Sequence, residues 1–397
     1  MNSISKPNFV DISKQPPILR APEKVDHIYK VIIAAACLPA FAGFAYFGYH
    51  AIFTIISAVI SCMFFDWSIA KLANSTKQFN KIYSALTGLL FALTLPAFCP
   101  WWVVIVGAAF AITIGKFGLG GIGNMVWQPA LVGRFAVAMI IPFLASQETI
   151  NPINWPILTK QNVFLGDIDN SQTVNNYTSW DKNYHISIKS AISIKPISER
   201  FKSLTQGKKR EYSSLATVSK NFTQKQPALL GKLPPINELM WGARPGSIGE
   251  TCIIFILLAG LYLCYRNYVN LALPATFIIS AWLIAGLMPI HFAGPSASQT
   301  TLTYPLFNAP FGVGFTYANY RILTGSFFLC AFFFLPDMSC RPITAGGQVI
   351  FGIFAGALAM LSTLYLPTTI PVYIALLVAS TFSPLIDKIW QPRVFGQ

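Results

Sequence analysis

Apolar residues in this chain fall into long runs separated by short polar stretches. The runs cover 29–48, 51–73, 83–98, 101–116 and 128–145, then 248–265, 270–289, 315–335, 346–366 and 368–387. A bilayer-crossing helix needs roughly 20 apolar residues, so the pattern predicts ten transmembrane helices. They form two groups of five around one long polar stretch. The expected organisation is an N-terminal segment 1–28, a first membrane half 29–145, an extracytoplasmic loop 146–247, a second membrane half 248–388 and a tail 389–397. Five is odd, so the second half enters the membrane in the opposite sense to the first. The fold class expected is an all-α polytopic membrane protein with two inverted halves and a site between them near the midplane.

Several runs are interrupted. Pro96 and Pro100 separate the third from the fourth, with Cys99, Trp101 and Trp102 at the turn. Gly118, Gly120, Gly121 and Gly123 precede the fifth, and Pro245, Gly246 and Gly249 precede the sixth. Irregular backbone at membrane depth persists only where it is buried in protein or lines a cavity. These breaks are therefore candidate ligand-holding positions.

Composition agrees with the pattern. The 397 residues are 54% hydrophobic and 11% charged, against about 25% charged for soluble chains. The net charge of +14 does not point to nucleic acid, because the basic residues lie between apolar runs. Lys24, Lys30, Lys71, Lys77, Lys81, Lys116, Arg266, Arg341, Lys388 and Arg393 all fall on one side if both termini are cytoplasmic, as the positive-inside rule requires. The first 28 residues lack the apolar core of a cleavable signal peptide. The expected location is the bacterial inner membrane.

Candidate chemistry is sparse. The seven cysteines sit in or beside apolar runs without a CxxC pair, and the four histidines are scattered, so no metal site is expected. Acidic residues in or next to the runs are Asp66, Glu250, Asp337 and Asp387. All four are read as lying near span ends, within snorkelling reach of the interface. Glu250 and Asp337 are the ion-path candidates. FGLGGIG at 117–123 follows no strand of a βαβ unit and is not a nucleotide fingerprint.

In order along the chain, ALTGLLFALTLPAFCPWW (85–102), GGIGNMVWQPALVGR (120–134), PGSIGET (245–251), FFFLPDMSCRPIT (332–344) and LLVASTFSPLIDK (376–388) resemble one family. It is the NqrB/RnfD family, named for one membrane component of the Na⁺-translocating NADH:quinone oxidoreductase and its relative in the Rnf electron-transport complex. The second stretch is similar to that family's GGxGxNxxNPAxxGR, and the third is typical of the quinone-reductase branch. The resemblance implies an electron-transfer subunit of a multi-chain membrane complex coupled to Na⁺ or H⁺. It implies FMN, a flavin mononucleotide, joined by a phosphoester to a threonine of an SGAT-type motif. It also implies a non-covalent riboflavin and a contribution to a quinone site. EYSSLATVS (211–219) is similar to the family's GYSGATALS, which makes Thr217 the FMN acceptor beside Ser214 and Ala216. Asn124, Gln128, Pro129 and Arg134 of the second motif are the other cofactor-binding candidates.

The chain departs from the family pattern at several positions. Leu215 stands where the SGAT-type motif has glycine, and Met125 and Gln128 stand for two asparagines. Phe117 stands for a glutamate of the quinone-reductase branch, and Pro336 replaces a threonine before Asp337. A channel or transporter for small solutes, or a cofactor-less scaffold subunit, are the alternative functions for such a fold.

Overall fold

The computed structural model describes residues 25–72, 80–97, 99–118, 120–121, 125–140, 240–242, 246–293, 300–304, 306–307, 311–323, 325–366 and 370–390. The first half comprises α1 (Val25–Phe47), α2 (Tyr49–Leu72), α3 (Lys81–Thr94), α4 (Trp101–Phe110) and α5 (Pro129–Ile140). α4 runs on into a π-helical stretch, Ala111–Phe117. The second half comprises α6 (Ile253–Tyr265), α7 (Ala272–Leu287), α8 (Phe311–Leu323), α9 (Phe327–Leu329), α10 (Ala345–Tyr365), α11 (Pro371–Thr381) and α12 (Ser383–Ile389). The short α9 continues as a second π-helical stretch, Cys330–Phe334.

Among the described residues, four helical stretches are long and apolar enough to cross a bilayer: Val25–Phe47, Tyr49–Leu72, Ala345–Tyr365 and Pro371–Ile389. Five shorter apolar helices accompany them. The chain is a multi-pass membrane protein. Large side chains of α1 and α2 face outward, with Phe41, Phe53 and Ile60 each about 60% exposed. A contiguous apolar surface of that kind suits lipid and not water. The interior is packed with small residues, among them Ala36, Ala51, Ala58, Ala259 and Ala355.

Small residues also set the helix contacts. α7 and α10 form the most extensive helix pair. A Cβ on Gly352 would overlap Thr276 Oγ1, and one on Gly356 would overlap Ser280 Oγ. Gly352 and Gly356 form a GxxxG pattern, which lets membrane helices approach backbone to backbone where lipid supplies no hydrophobic drive.

The proline and glycine breaks follow local rules. Pro96 disfavours helical backbone at the residue before it, and Leu95 is accordingly extended. Asn80 caps the other end of α3, its side chain accepting from Ile82 N and Tyr83 N.

Two predicted spans differ from the structure. The run 315–335 is not one helix but α8 followed by α9 and its π extension, interrupted at Gly325 and Ser326. The Phe327 ring folds over Gly325, where a Cβ would meet it at 2.7 Å. The last span breaks between α11 and α12, where Pro384 opens the new helix. A short antiparallel hairpin also stands between α7 and α8, pairing Ile290–Ala293 with Thr300–Thr303. Thr300, Thr301 and Thr303 are β-branched and suit extended backbone. The two halves touch where α1 packs on α6 and α5 on α11.

Candidate functional site

Among the described residues, two of the groups of polar side chains inside the bundle lie toward opposite ends of α3. The first lies at the start of α3. Asp66 on α2 and Lys116 on the π-helical stretch form an ion pair in which neither side chain reaches solvent. Lys116 Nζ lies 2.6 Å from one Asp66 carboxylate oxygen and 2.7 Å from the other. The Ser84 hydroxyl contacts Asp66 Oδ2 and also lies 2.8 Å from the Asn80 carbonyl. The ammonium is flanked by the rings of Tyr83, at 5.8 Å, and Phe117, at 5.3 Å.

This arrangement corrects two expectations. Lys116 is not a loop charge after the fourth span. It is part of that helix, and its charge is spent on Asp66. Asp66 does not snorkel either, because it lies six residues inside the end of α2, about 9 Å at the helical rise of 1.5 Å per residue. Phe117, standing where the resemblance expects a carboxylate, presents a π face to the ammonium.

The second group lies where α3 ends. The last carbonyls of a helix have no partner within it. Here they are satisfied from the other half: Gly249 N donates to Leu93 O at 2.8 Å, and Ile248 N donates to Leu95 O at 3.0 Å. Only glycine allows this approach at 249, since a Cβ there would stand 2.6 Å from Leu93 Cβ. Two broken segments, one from each half, are thus stitched backbone to backbone.

That stitch positions Glu250. Tyr373, near the start of α11, donates its hydroxyl to Glu250 Oε1. Ser247 N reaches Glu250 Oε2 at 3.5 Å. The Tyr373 ring stacks edge-on against Phe334 of the second π-helical stretch, with centroids 5.9 Å apart. Arg134 on α5 is 5% exposed, and α5 packs against α11, the helix whose Tyr373 contacts Glu250.

The loop after α9 reaches back to the first half. Cys340 Sγ lies 3.8 Å from Met125 O, and the Tyr83 hydroxyl lies 3.6 Å from Met125 Sδ. Within this loop the Asp337 carboxyl is pushed up to about 6 by burial, against the opposing pull of the Ser339 and Met338 backbone and of Arg341. Asp337 is not part of the Glu250 group.

Gln128 and Pro129 open α5. Pro129 packs against Gly115, and the Gln128 carbonyl accepts from Leu131 N and Val132 N. Gln128 Oε1 is buried with no hydrogen-bond partner among the described residues. Thr217, Ser214, Ala216 and Asn124 lie outside the described residues. Among the described residues no cluster of His, Cys, Asp or Glu could hold a metal ion.

The sequence matches the family model described as NQR2, RnfD, RnfE over residues 12–396. The chain belongs to that family. One relative is a subunit of the proton-translocating ferredoxin:NAD(+) oxidoreductase complex of Clostridium ljungdahlii, 28% identical over 98% of this chain and 97% of its own length. Another is a subunit of the ion-translocating oxidoreductase complex of Rhodobacter capsulatus, 29% identical over 82% of this chain and 78% of its own. A third is a subunit of the Na(+)-translocating ferredoxin:NAD(+) oxidoreductase complex of Acetobacterium woodii, 25% identical over 96% of this chain and 93% of its own. Family membership agrees with the ordered motifs of the sequence.

Proposed function

We propose that this chain is the RnfD-type membrane component of an ion-translocating oxidoreductase complex, working with other subunits in a bacterial inner membrane. Both termini lie on the cytoplasmic side in this reading, and the ion is Na⁺ or H⁺. The observation that carries it is the backbone stitch between Leu93 and Gly249. It holds Glu250 against Tyr373 inside an apolar bundle, between two halves of a chain whose family includes redox-driven ion pumps. Ionisable groups in that setting mark ion or proton routes.

The cofactor part of the proposal is FMN carried on Thr217 and a second, non-covalent flavin beside Gln128. Gln128 fits such a ring at one atom, its buried and unpartnered Oε1, which would accept from a ring N–H. Bound flavins supply the electron carrier, while the protein supplies position and electrostatics. Burial of Gln128 and the closure of α5 over Gly115 keep water from that position. Arg134 sets a positive field between the Gln128 end of α5 and Tyr373, which favours an added negative charge nearby. A quinone acceptor belongs to the same proposal.

The test is to isolate the complex through an affinity tag on this chain, from cells that contain a flavin transferase. Expected are a fluorescent band for the denatured chain, FMN mass on the peptide containing Thr217, and a second flavin released on denaturation. A complex with no flavin of either kind on this chain would overturn the cofactor assignment. A chain isolated without redox partner subunits would overturn the complex itself.

A further inference from the structure

We propose that Asp66 is a monovalent-cation site of the first membrane half, occupied in this conformation by the tethered ammonium of Lys116. The inference rests on the redox-driven pump proposed above.

Three observations carry it. Asp66 and Lys116 form a fully buried pair, 2.6 Å apart, inside the helix bundle. The oxygens around the ammonium suit a small cation, with both Asp66 carboxylate oxygens in contact and Ser84 Oγ against one of them. Lys116 also sits on a π-helical stretch rather than an ordinary helix. There Gly118 N donates to Thr113 O and Gly121 N donates to Lys116 O, each bond spanning five residues. π-Helical turns inside α-helices concentrate at functional sites. Such a stretch carries a surplus residue. Returning it to α geometry rotates every later side chain by about 100°, the angle per residue of a 3.6-fold helix. That rotation swings Lys116 off Asp66. Gly120 and Gly121, at φ 103° and 88°, follow at once and can absorb the change of path.

A carboxylate stranded in that interior is strongly unfavourable, so release of Lys116 obliges Asp66 to take up Na⁺ or H⁺. Return of Lys116 expels the cation. The site thus exchanges one positive charge for another. It differs from the Glu250 group, which stands at the far end of α3.

The test uses the complete complex in proteoliposomes, with ²²Na⁺ flux and an internal pH dye read beside electron transfer. The neutral double variant Asp66→Asn/Lys116→Gln removes both charges at near-constant shape. Electron transfer is expected within threefold of wild type, with cations moved per electron reduced at least tenfold. An unchanged cation-to-electron ratio overturns the proposal. A wild-type complex that moves no cation with electron flow sinks the pump reading instead, so the two failures are distinguishable. The wild-type complex provides a second measurement that needs no variant. A hydrophobic carbodiimide is added in sodium-free medium, where a released carboxylate can take up only a proton. Asp66 should be modified during turnover and not at rest. Added Na⁺ should block the modification if the site takes Na⁺ and leave it if the site takes H⁺. Asp66 unmodified during turnover overturns the proposal.

Discussion

Lys116 reaches across from the fourth membrane helix to clasp both carboxylate oxygens of Asp66, at 2.6 and 2.7 Å, with neither side chain exposed. Removing one partner of such a pair leaves an uncompensated charge. Asp66→Asn or Lys116→Met alone should therefore destabilise the folded chain by about 3–5 kcal/mol. The double neutral variant should lose clearly less than the two single losses combined. Denaturation of the solubilised chain in a double-mutant cycle measures this, and additive losses would show the pair to be uncoupled.

Gly249 stands under equally tight geometry. Gly249→Val places side-chain atoms where Leu93 Cβ already lies, 2.6 Å from the first added carbon. Overpacking of this kind costs about 1–3 kcal/mol. The change should also part the two halves at the α3 end, so limited proteolysis should become faster. Gly246→Ala is the control, because its Cβ meets nothing closer than 3.5 Å. Equal behaviour of the two variants would refute the stitch as a constraint.

Asp337 should make stability depend on pH with the unusual sign for a carboxylate. Its pKa of about 6 in the folded chain is above the ordinary 3.8. The folded state therefore holds a proton that the unfolded state has released between those values. The contribution is full below the ordinary pKa and is lost as pH rises through about 6. Asp337→Asn should flatten the melting temperature between about pH 4 and about pH 7, the window spanned by those two values. An unchanged slope in that variant would assign the dependence to another group.

Thr217→Ala should abolish covalent flavin on the chain while leaving it in the membrane with its partners. In-gel fluorescence and peptide mass read the outcome directly. Retained covalent flavin would move the attachment to another hydroxyl, with Thr223 and Ser219 next in line.

The apolar runs made the helices legible, because lipid demands about 20 apolar residues wherever a helix crosses it. The breaks were legible too, since Pro96 and Gly249 act on their own backbone. The eighth run hides its break because its hydropathy continues through Gly325 and Ser326, while a helix stops for backbone reasons that hydropathy does not register. The Lys116–Asp66 pair is not legible in the sequence for a related cause. Lys116 ends an apolar run beside glycines, the local pattern of an interfacial charge, and no pattern within α4 refers to a carboxylate 50 positions earlier.

The sequence by itself determined a multi-pass helical protein of the NQR2, RnfD, RnfE family, with ionisable residues placed at the breaks. The helices and their breaks follow from transfer to lipid and from local dihedral limits, which neighbouring residues alone control, and the family follows from the ordered motifs. Tertiary structure decided which buried groups meet: Asp66 with Lys116, Glu250 with Tyr373, Leu93 with Gly249. Each contact forms because a polar group inside an apolar bundle finds no water, and packing determines which other polar group comes within reach.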